Sequence, residues 1–329
     1  MAPSKRIAVA GGKGGLGRNI VEGLLEQHHA LDSVIVLSRT ASPSESIEYQ
    51  GHRARVVAVN YDDISNIESV LREHRIDTLI SVIFAAPDQI RDMQINMIKA
   101  SLNVPSMRRF APSEFGASSE NAVSITEYYA SRREVLKFLR EAKTAGKGLE
   151  WTNFSCGVFM NYLGYENPRP SPEKEKAYGY VRPMVSTLYF NLSEGRAILP
   201  EKGEDKQWWT RVEDIGRFVA AAVQFDTWPE LSTMAGSLAT GSEIVTTFER
   251  ISGRKLDVTY WPKEEILQQI EKINSLKEYS PVERMLEKAF RESQLSIING
   301  ELPSQMILNE LADVKPMGLE EYLQLWWSR

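Results

Sequence analysis

The stretch VAGGKGGLGRNIVEGLL, Val9 to Leu25, starts apolar, carries six glycines and ends on the spacing of an amphipathic helix. Ile7 to Ala10 is a short apolar run with β-branched residues, the pattern of a strand buried on both faces of a parallel sheet. Leu16, Ile20, Val21, Leu24 and Leu25 then recur at helical spacing, so the glycines sit where a strand becomes a helix. Two frames fit this junction: Gly12, Gly14 and Gly17 match G-x-G-x-x-G, and Gly11, Gly14 and Gly17 match the looser G-x-x-G-x-x-G. Either frame supplies what a dinucleotide pyrophosphate needs: a tight turn, backbone without Cβ where the phosphates approach, and free N–H groups at the positive end of a helix. The expected phosphate loop is therefore Gly11, Gly12, Lys13, Gly14, Gly15, Leu16 and Gly17, with a ligand-free structural turn as the alternative.

The next strand decides which dinucleotide. SVIVLSRT runs from Ser33 to Thr40, and Ser38 and Arg39 stand where an NAD-binding chain places an acidic residue on the ribose 2′-hydroxyl. An arginine there suits a 2′-phosphate, which its planar fork of donors can grip. Lys13 and Arg18 add positive charge nearby. The expected cofactor is NADP(H).

Beyond residue 40 the alternation continues. ARVVAVNYDD reads as a third strand, DISNIESVLREH as a helix, IDTLISVIFAAP as a fourth strand and DQIRDMQINMIKASLN as the next helix. SMRRFAPSEFG reads as a fifth strand with its exit loop, TEYYASRREVLKFLREAKTAG as a long helix and LEWTNFSCGVFM as a sixth strand. Strands separated by helices imply βαβ crossovers, hence an α/β fold built on a doubly wound parallel sheet. Ligands in such sheets bind outside the carboxyl ends of the strands. That singles out Ala85, Ala86 and Pro87 for the cofactor's flat ring, Ser113, Glu114 and Phe115 after the fifth strand, and Asn161 and Tyr162 after the sixth.

Prolines and charges break the periodicity over Glu166 to Pro183. The expected division is a dinucleotide-binding domain over 1–160, completed by a strand near 233–240, and a smaller α+β lobe over 161–329, mainly substrate-binding. Within the lobe, VSTLYFNLSEGRAILP reads as a helix and turn over the sheet end, and QWWTRVEDIGRFVAAAV as a strand and a helix. A further strand, a helix capped near Thr240 to Ser242 and another strand follow. Leu276 to Arg329 reads as mostly helical, with Trp326 and Trp327 packing rather than binding.

Composition sets limits on function. With 39 basic and 44 acidic residues the net charge is -5, which offers no footprint for nucleic acid or an anionic membrane. One cysteine, Cys156, excludes an internal disulfide, and four histidines without cysteine partners show no zinc spacing. No apolar run approaches the ~20 residues of a membrane span, and the start carries no secretory pattern. The expectation is a soluble cytosolic protein, monomer or homodimer, that binds a small-molecule substrate and no metal.

Five segments in order, AGGKGGLGR, VLSRT, RRFAPSEFG, WTRVEDIGRFVA and SEIVTTFERISGRKLDV, resemble the atypical short-chain dehydrogenases of the NmrA-like and isoflavone-reductase-like group. The resemblance implies an NADP-binding Rossmann domain, a smaller C-terminal lobe and, typically, reduction of phenolic or alkaloid-like secondary metabolites; some relatives only sense the dinucleotide. It also implies a catalytic lysine on the helix after the SEFG loop, at the position of Arg132 in this chain. Tyr128-x-x-x-Arg132 thus resembles the dehydrogenase Y-x-x-x-K with its lysine replaced, and Tyr129-x-x-x-Arg133 repeats the pattern one residue on.

The replacement matters because a lysine can be tuned toward neutrality by burial, whereas arginine stays protonated. Arg132 can hold ribose, phosphate or a substrate carboxylate but cannot shuttle a proton. Glu114, Tyr128 and Tyr129 are the remaining candidates for that step. Glu114 read structurally would cap a helix or pair with Arg132 or Arg109, and the tyrosines would be ordinary amphipathic-helix residues. Cys156 reads as inert core, and His28 and His29 as surface.

The expected activity is NADP(H)-dependent reduction of a C=C or C=N bond in an aromatic or alkaloid-like molecule of secondary metabolism. Phe159, Tyr162, Tyr189, Trp208 and Trp209 are candidate walls for the substrate, joined by Asn161. With no lysine acid, a cationic iminium steadied by Glu114 is easier to rationalise than a neutral ketone. Two rivals stay open: non-redox iminium cyclisation of the Pictet-Spengler type, and an NmrA-like NADP(H)-sensing regulator.

Overall fold

The computed structural model describes residues 2–146, 148–181, 189–275 and 279–328. Seven strands, β1 (Arg6–Ala10), β2 (Ser33–Ser38), β3 (Ser46–Tyr49), β4 (His52–Ala58), β5 (Thr78–Ser81), β6 (Arg109–Ala111) and β7 (Glu150–Trp151), form one sheet in the order β3-β4-β2-β1-β5-β6-β7. All neighbours are parallel except the β3–β4 pair. Without that edge strand the order is that of a doubly wound nucleotide-binding sheet, and it reverses between β1 and β5, beside the glycine loop.

The alternation along β1 shows why the sheet needs helices on both faces. Ile7 and Val9 join one core with α1 (Gly15–Glu26), while Ala8 and Ala10 join another with α2 (Ile64–Glu73), α3 (Pro87–Leu102) and α4 (Glu127–Thr144). Each face thus buries alternate residues of the same strand.

The third strand starts earlier than its apolar run suggests. Gln50 and Gly51, with φ of 50° and 80°, make the two-residue turn of a β3–β4 hairpin that the sequence reading omitted. Positive φ at both central residues suits a type I′ turn, whose twist matches that of the strands.

After β7 the chain forms β8 (Asn153–Ser155), β9 (Val158–Phe159), a short helix α5 (Glu173–Lys176), β10 (Phe190–Asn191), β11 (Arg196–Pro200), β12 (Lys206–Thr210) and α6 (Val212–Ala222). Then come β13 (Leu231–Thr233), β14 (Ser237–Thr240), α7 (Gly241–Ser252), β15 (Asp257–Trp261) and helices α8 (Lys263–Ser275), α9 (Pro281–Ile298), α10 (Ile307–Leu311) and α11 (Leu319–Trp327). The helix expected within 185–200 is replaced, over the described part, by the antiparallel β10–β11 hairpin; residues 185–188 lie outside the described residues. Pairing of β11 with β15 outweighs local propensity there. Helix α7 starts where expected, with Thr240 and Glu243 forming a capping box.

Two strands in the region 231–240 pair differently: β13 runs parallel to β8, and β14 is antiparallel to β12, which is itself parallel to β9. Trp209, Phe248, Tyr322, Trp326 and Trp327 build a separate core, so the terminal tryptophans do pack.

The VEDIGR segment ties these parts together. A Cβ on Gly216 would overlap the Asn19 carbonyl, so α6 and α1 touch backbone to backbone. Asp214, fully buried, accepts hydrogen bonds from Arg211, Arg217 and the Met317 amide. Among the described residues no helix is long and apolar enough to cross a membrane.

Candidate active-site cleft

The glycines of the β1–α1 loop divide by function. Gly11 has φ +84°, and a Cβ on Gly17 would overlap the Gly11 carbonyl oxygen, so these two close the turn and seat the helix. Gly12 packs against the side chains of Val21 and Val36. At Gly14 and Gly15 an added Cβ would meet nothing within 4 Å. Helix α1 begins there with no side-chain cap and no acidic residue in its first turn. Unspent N–H groups beside open space fit a pyrophosphate.

At the end of β2, Arg39 is exposed and makes no hydrogen bond or ion pair with any described residue. Lys13 is engaged by Glu45 at 2.5 Å. Arg18 is held by Glu22 at 2.7 Å and faces the Tyr180 ring at 5.6 Å. Of Lys13, Arg18 and Arg39, only Arg39 keeps its charged group unengaged among the described residues.

A cavity of about 590 Å³ runs from Gly14 and Gly15 to the lobe. Phe84, Phe115, Phe159, Tyr162, Trp208 and Phe290 give it aromatic walls, and Ser113, Tyr128, Tyr129, Arg132 and Gln207 give it polar groups. Arg132 is the only charged side chain among the described lining residues.

Helix α4 presents Tyr128, Tyr129 and Arg132, and α9 anchors its start. Glu292 accepts from the Thr126 amide at 3.0 Å and its hydroxyl at 2.6 Å, and Glu301 does the same for Ser124 at 2.9 and 2.6 Å. Glu292 thus holds the N-cap residue of α4, and Glu301, just beyond α9, holds the turn that leads into α4. Arg132 donates to the Tyr128 hydroxyl at 3.1 Å and to the Glu114 carbonyl at 3.3 Å. Its guanidinium sits 4.8 and 4.9 Å from the Tyr128 and Tyr129 ring centres. Burial pushes the Tyr129 phenol well up, whereas Tyr128 is only half-buried.

Glu114 is brought to the same region, but its carboxylate turns away. Oε2 accepts from the Ser119 amide and the Asn153 side chain, both at 3.3 Å, and Oε1 is buried with no partner among the described residues. Burial raises its pKa, and the nearby charge of Arg132 only partly opposes this. Arg109 is engaged by Glu150 at 2.6 Å instead.

Other sequence candidates divide likewise. Ser113 lines the cavity, its hydroxyl donating to the Ile83 carbonyl at 2.9 Å. Tyr189 is on the wall. Ala85, Ala86 and Pro87 lead into α3 and are not among the described residues lining the cavity, whereas the adjacent Phe84 is. Asn161 is spent on structure, accepting from the Val212 amide at 2.8 Å and donating to the Ala177 carbonyl at 2.9 Å. Trp209 is in the lobe core. Cys156 is buried, which pushes its thiol up to about 12. His28 and His29 are exposed. Among the described residues no cluster of His, Cys, Asp or Glu could hold a metal ion.

Sequence reasoning missed Phe84, Tyr180 and Gln207. Gln207 is 6% exposed and its Oε1 has no partner among the described residues. A lone amide before two tryptophans in a buried strand was the available signal.

The model of the NmrA-like family matches residues 3–323. Oxidoreductase BOA1 of Botryotinia fuckeliana is 30% identical over 257 residues, covering 78% of this chain and 77% of its own. Phenylcoumaran benzylic ether reductase TP7 of Nicotiana tabacum is 25% identical over 280 residues, 82% of each chain. Among solved structures, the binary complex of leucoanthocyanidin reductase with NADPH from Vitis vinifera aligns with a TM-score of 0.70 at 19% identity, covering 97% of this chain and 98% of that one. That likeness shows a shared fold.

Proposed function

The chain belongs to the NmrA-like family, and we propose that it is a cytosolic NADP(H)-dependent reductase of secondary metabolism, acting on a C=C or C=N bond of an aromatic or alkaloid-like small molecule. The carrying observation is continuity: the open helix start at Gly14 and Gly15 leads into an aromatic cavity whose polar end is the Tyr128–Arg132 pair. The names of the relatives, an oxidoreductase and an ether reductase, and the NADPH of the Vitis complex support the reading.

In this reading the phosphate loop and Arg39 hold the dinucleotide, residues 1–160 carry most of its site, and the part of 161–329 that is not packed on α1 by way of α6 covers the substrate. Bound there, the dinucleotide supplies a hydride from nicotinamide C4. Tyr128 donates the accompanying proton, and Arg132, always charged, orients the phenol and stabilises negative charge on the substrate. Ser113 and the aromatic walls position the rings and exclude water.

Of the two bond types, C=C conjugated to an oxygen-bearing group is better supported. No carboxylate among the described residues faces the cavity to steady an iminium, and Arg132 would repel one. The same point weighs against iminium cyclisation. A sensor would have no use for a proton donor pinned beside the cleft.

Calorimetric titration with NADPH and NADH, followed by NADPH oxidation against aromatic enones and cyclic iminium salts, tests this. Tight NADPH binding with turnover of enones supports it. Absence of NADPH binding contradicts it.

A further inference from the structure

Arg132 is a buried cation with most of its donors unspent. It is 7% exposed and lies 4.8 and 4.9 Å from the centres of two phenol rings that are themselves 5.5 Å apart. Of the five N–H donors of a guanidinium, two are used, both on uncharged oxygens, and three remain. No carboxylate among the described residues lies within ion-pair distance of it. Glu114, the nearest acid by charge coupling, keeps its carboxylate on Ser119 and Asn153.

A largely desolvated cation with unspent donors facing a cavity favours an anionic group there over a neutral one. The phosphates of a dinucleotide are drawn to Gly14, Gly15 and Arg39, and the described lining of the cavity holds no acidic side chain. The substrate is left as the source. A planar fork matches a carboxylate through two parallel hydrogen bonds.

We propose that the substrate is an aromatic acid, seated between Phe159, Tyr162, Trp208 and Phe290, whose carboxylate or equally acidic oxygen pairs with the unspent N–H groups of Arg132. This rests on the reading of the cavity as the substrate site. Gln207 supplies a second anchor: its orphaned Oε1 accepts from a hydroxyl or N–H on the far side of the ring system.

The test is calorimetry on the NADP+-saturated protein with three probes of similar size: trans-cinnamate, trans-cinnamamide and 2-phenylethylammonium. The proposal expects cinnamate to bind at least about tenfold more tightly than the amide, and the ammonium more weakly than either. Arg132→Gln should bring acid and amide within about twofold, while Arg132→Lys, which keeps the charge and loses the fork, retains part of the preference. Thermal unfolding checks that each variant is folded, and if Arg132→Gln is not, Arg132→Lys and the wild-type ratio decide. An acid no tighter than the amide, a preferred ammonium, or no binding of any probe overturns the proposal. A titration with NADP+ alone comes first. A wild-type protein that does not take NADP+ overturns the reading of the cleft itself, whereas NADP+ binding with indifference to the probes overturns only the acid.

Discussion

Arg132 donates a 3.1 Å hydrogen bond to the Tyr128 hydroxyl from one helical turn further along and lies 4.8 Å from the centre of that ring. The i,i+4 spacing puts both side chains on one face of α4. Because the phenol oxygen accepts from the guanidinium and its O–H donates to no described residue, that O–H remains available to a molecule in the cavity.

Tyr128→Phe removes that proton and keeps the ring. The expected outcome is a fall in kcat of about 10² to 10⁴, with KM changed far less. Steady-state kinetics with varied substrate reads the split. An unchanged kcat would move the proton donor elsewhere.

Glu114 carries a pH signature of a structural group. Burial holds its carboxyl above the ordinary 4.5, so between 4.5 and the raised value the native protein binds more protons than the unfolded chain. The stability contributed by the neutral carboxyl is fully present below the unfolded pKa and is lost as pH rises through the folded one. Glu114→Gln mimics the neutral form. Its Tm should match wild type near pH 4 and exceed it by pH 8, by scanning fluorimetry, with kcat little changed. A variant less stable than wild type at pH 8 would contradict this.

Arg39→Ala should weaken NADPH binding roughly tenfold to a hundredfold by removing a charge-assisted contact to the 2′-phosphate. NADH affinity should not move. Calorimetry on both cofactors checks it, and equal losses for the two would place Arg39 off the phosphate.

Two glycines of one loop should fail in opposite ways. Gly14→Val meets open space, so the fold and Tm should survive while cofactor binding is lost. Gly17→Val would drive its side chain into the Gly11 carbonyl, so Tm should drop sharply. Cofactor binding retained in Gly14→Val would reduce the loop to a turn.

What was legible in the sequence was local or periodic. The glycine junction, the alternation of strands and helices, and the capped start of α7 all follow from residues within a few positions of one another. The β3–β4 hairpin was missed because Gln50–Gly51 stands in place of the commoner Asn-Gly, and the β10–β11 hairpin because two short strands carry too little pattern. The site was legible as a neighbourhood and not as an orientation. Nothing near Glu114 tells that its carboxylate turns toward Asn153, 39 residues on, or that Asn161 serves the amide of Val212, 51 residues on.

The central claim is hydride transfer from NADPH, and isotopic labelling tests it directly. NADPH deuterated at both C4 positions is supplied with the first aromatic substrate that turns over, and cofactor oxidation is followed together with the mass of the product. The account predicts one deuterium in each product molecule for each NADPH oxidised. Product formed without label while NADPH stays unconsumed would contradict it.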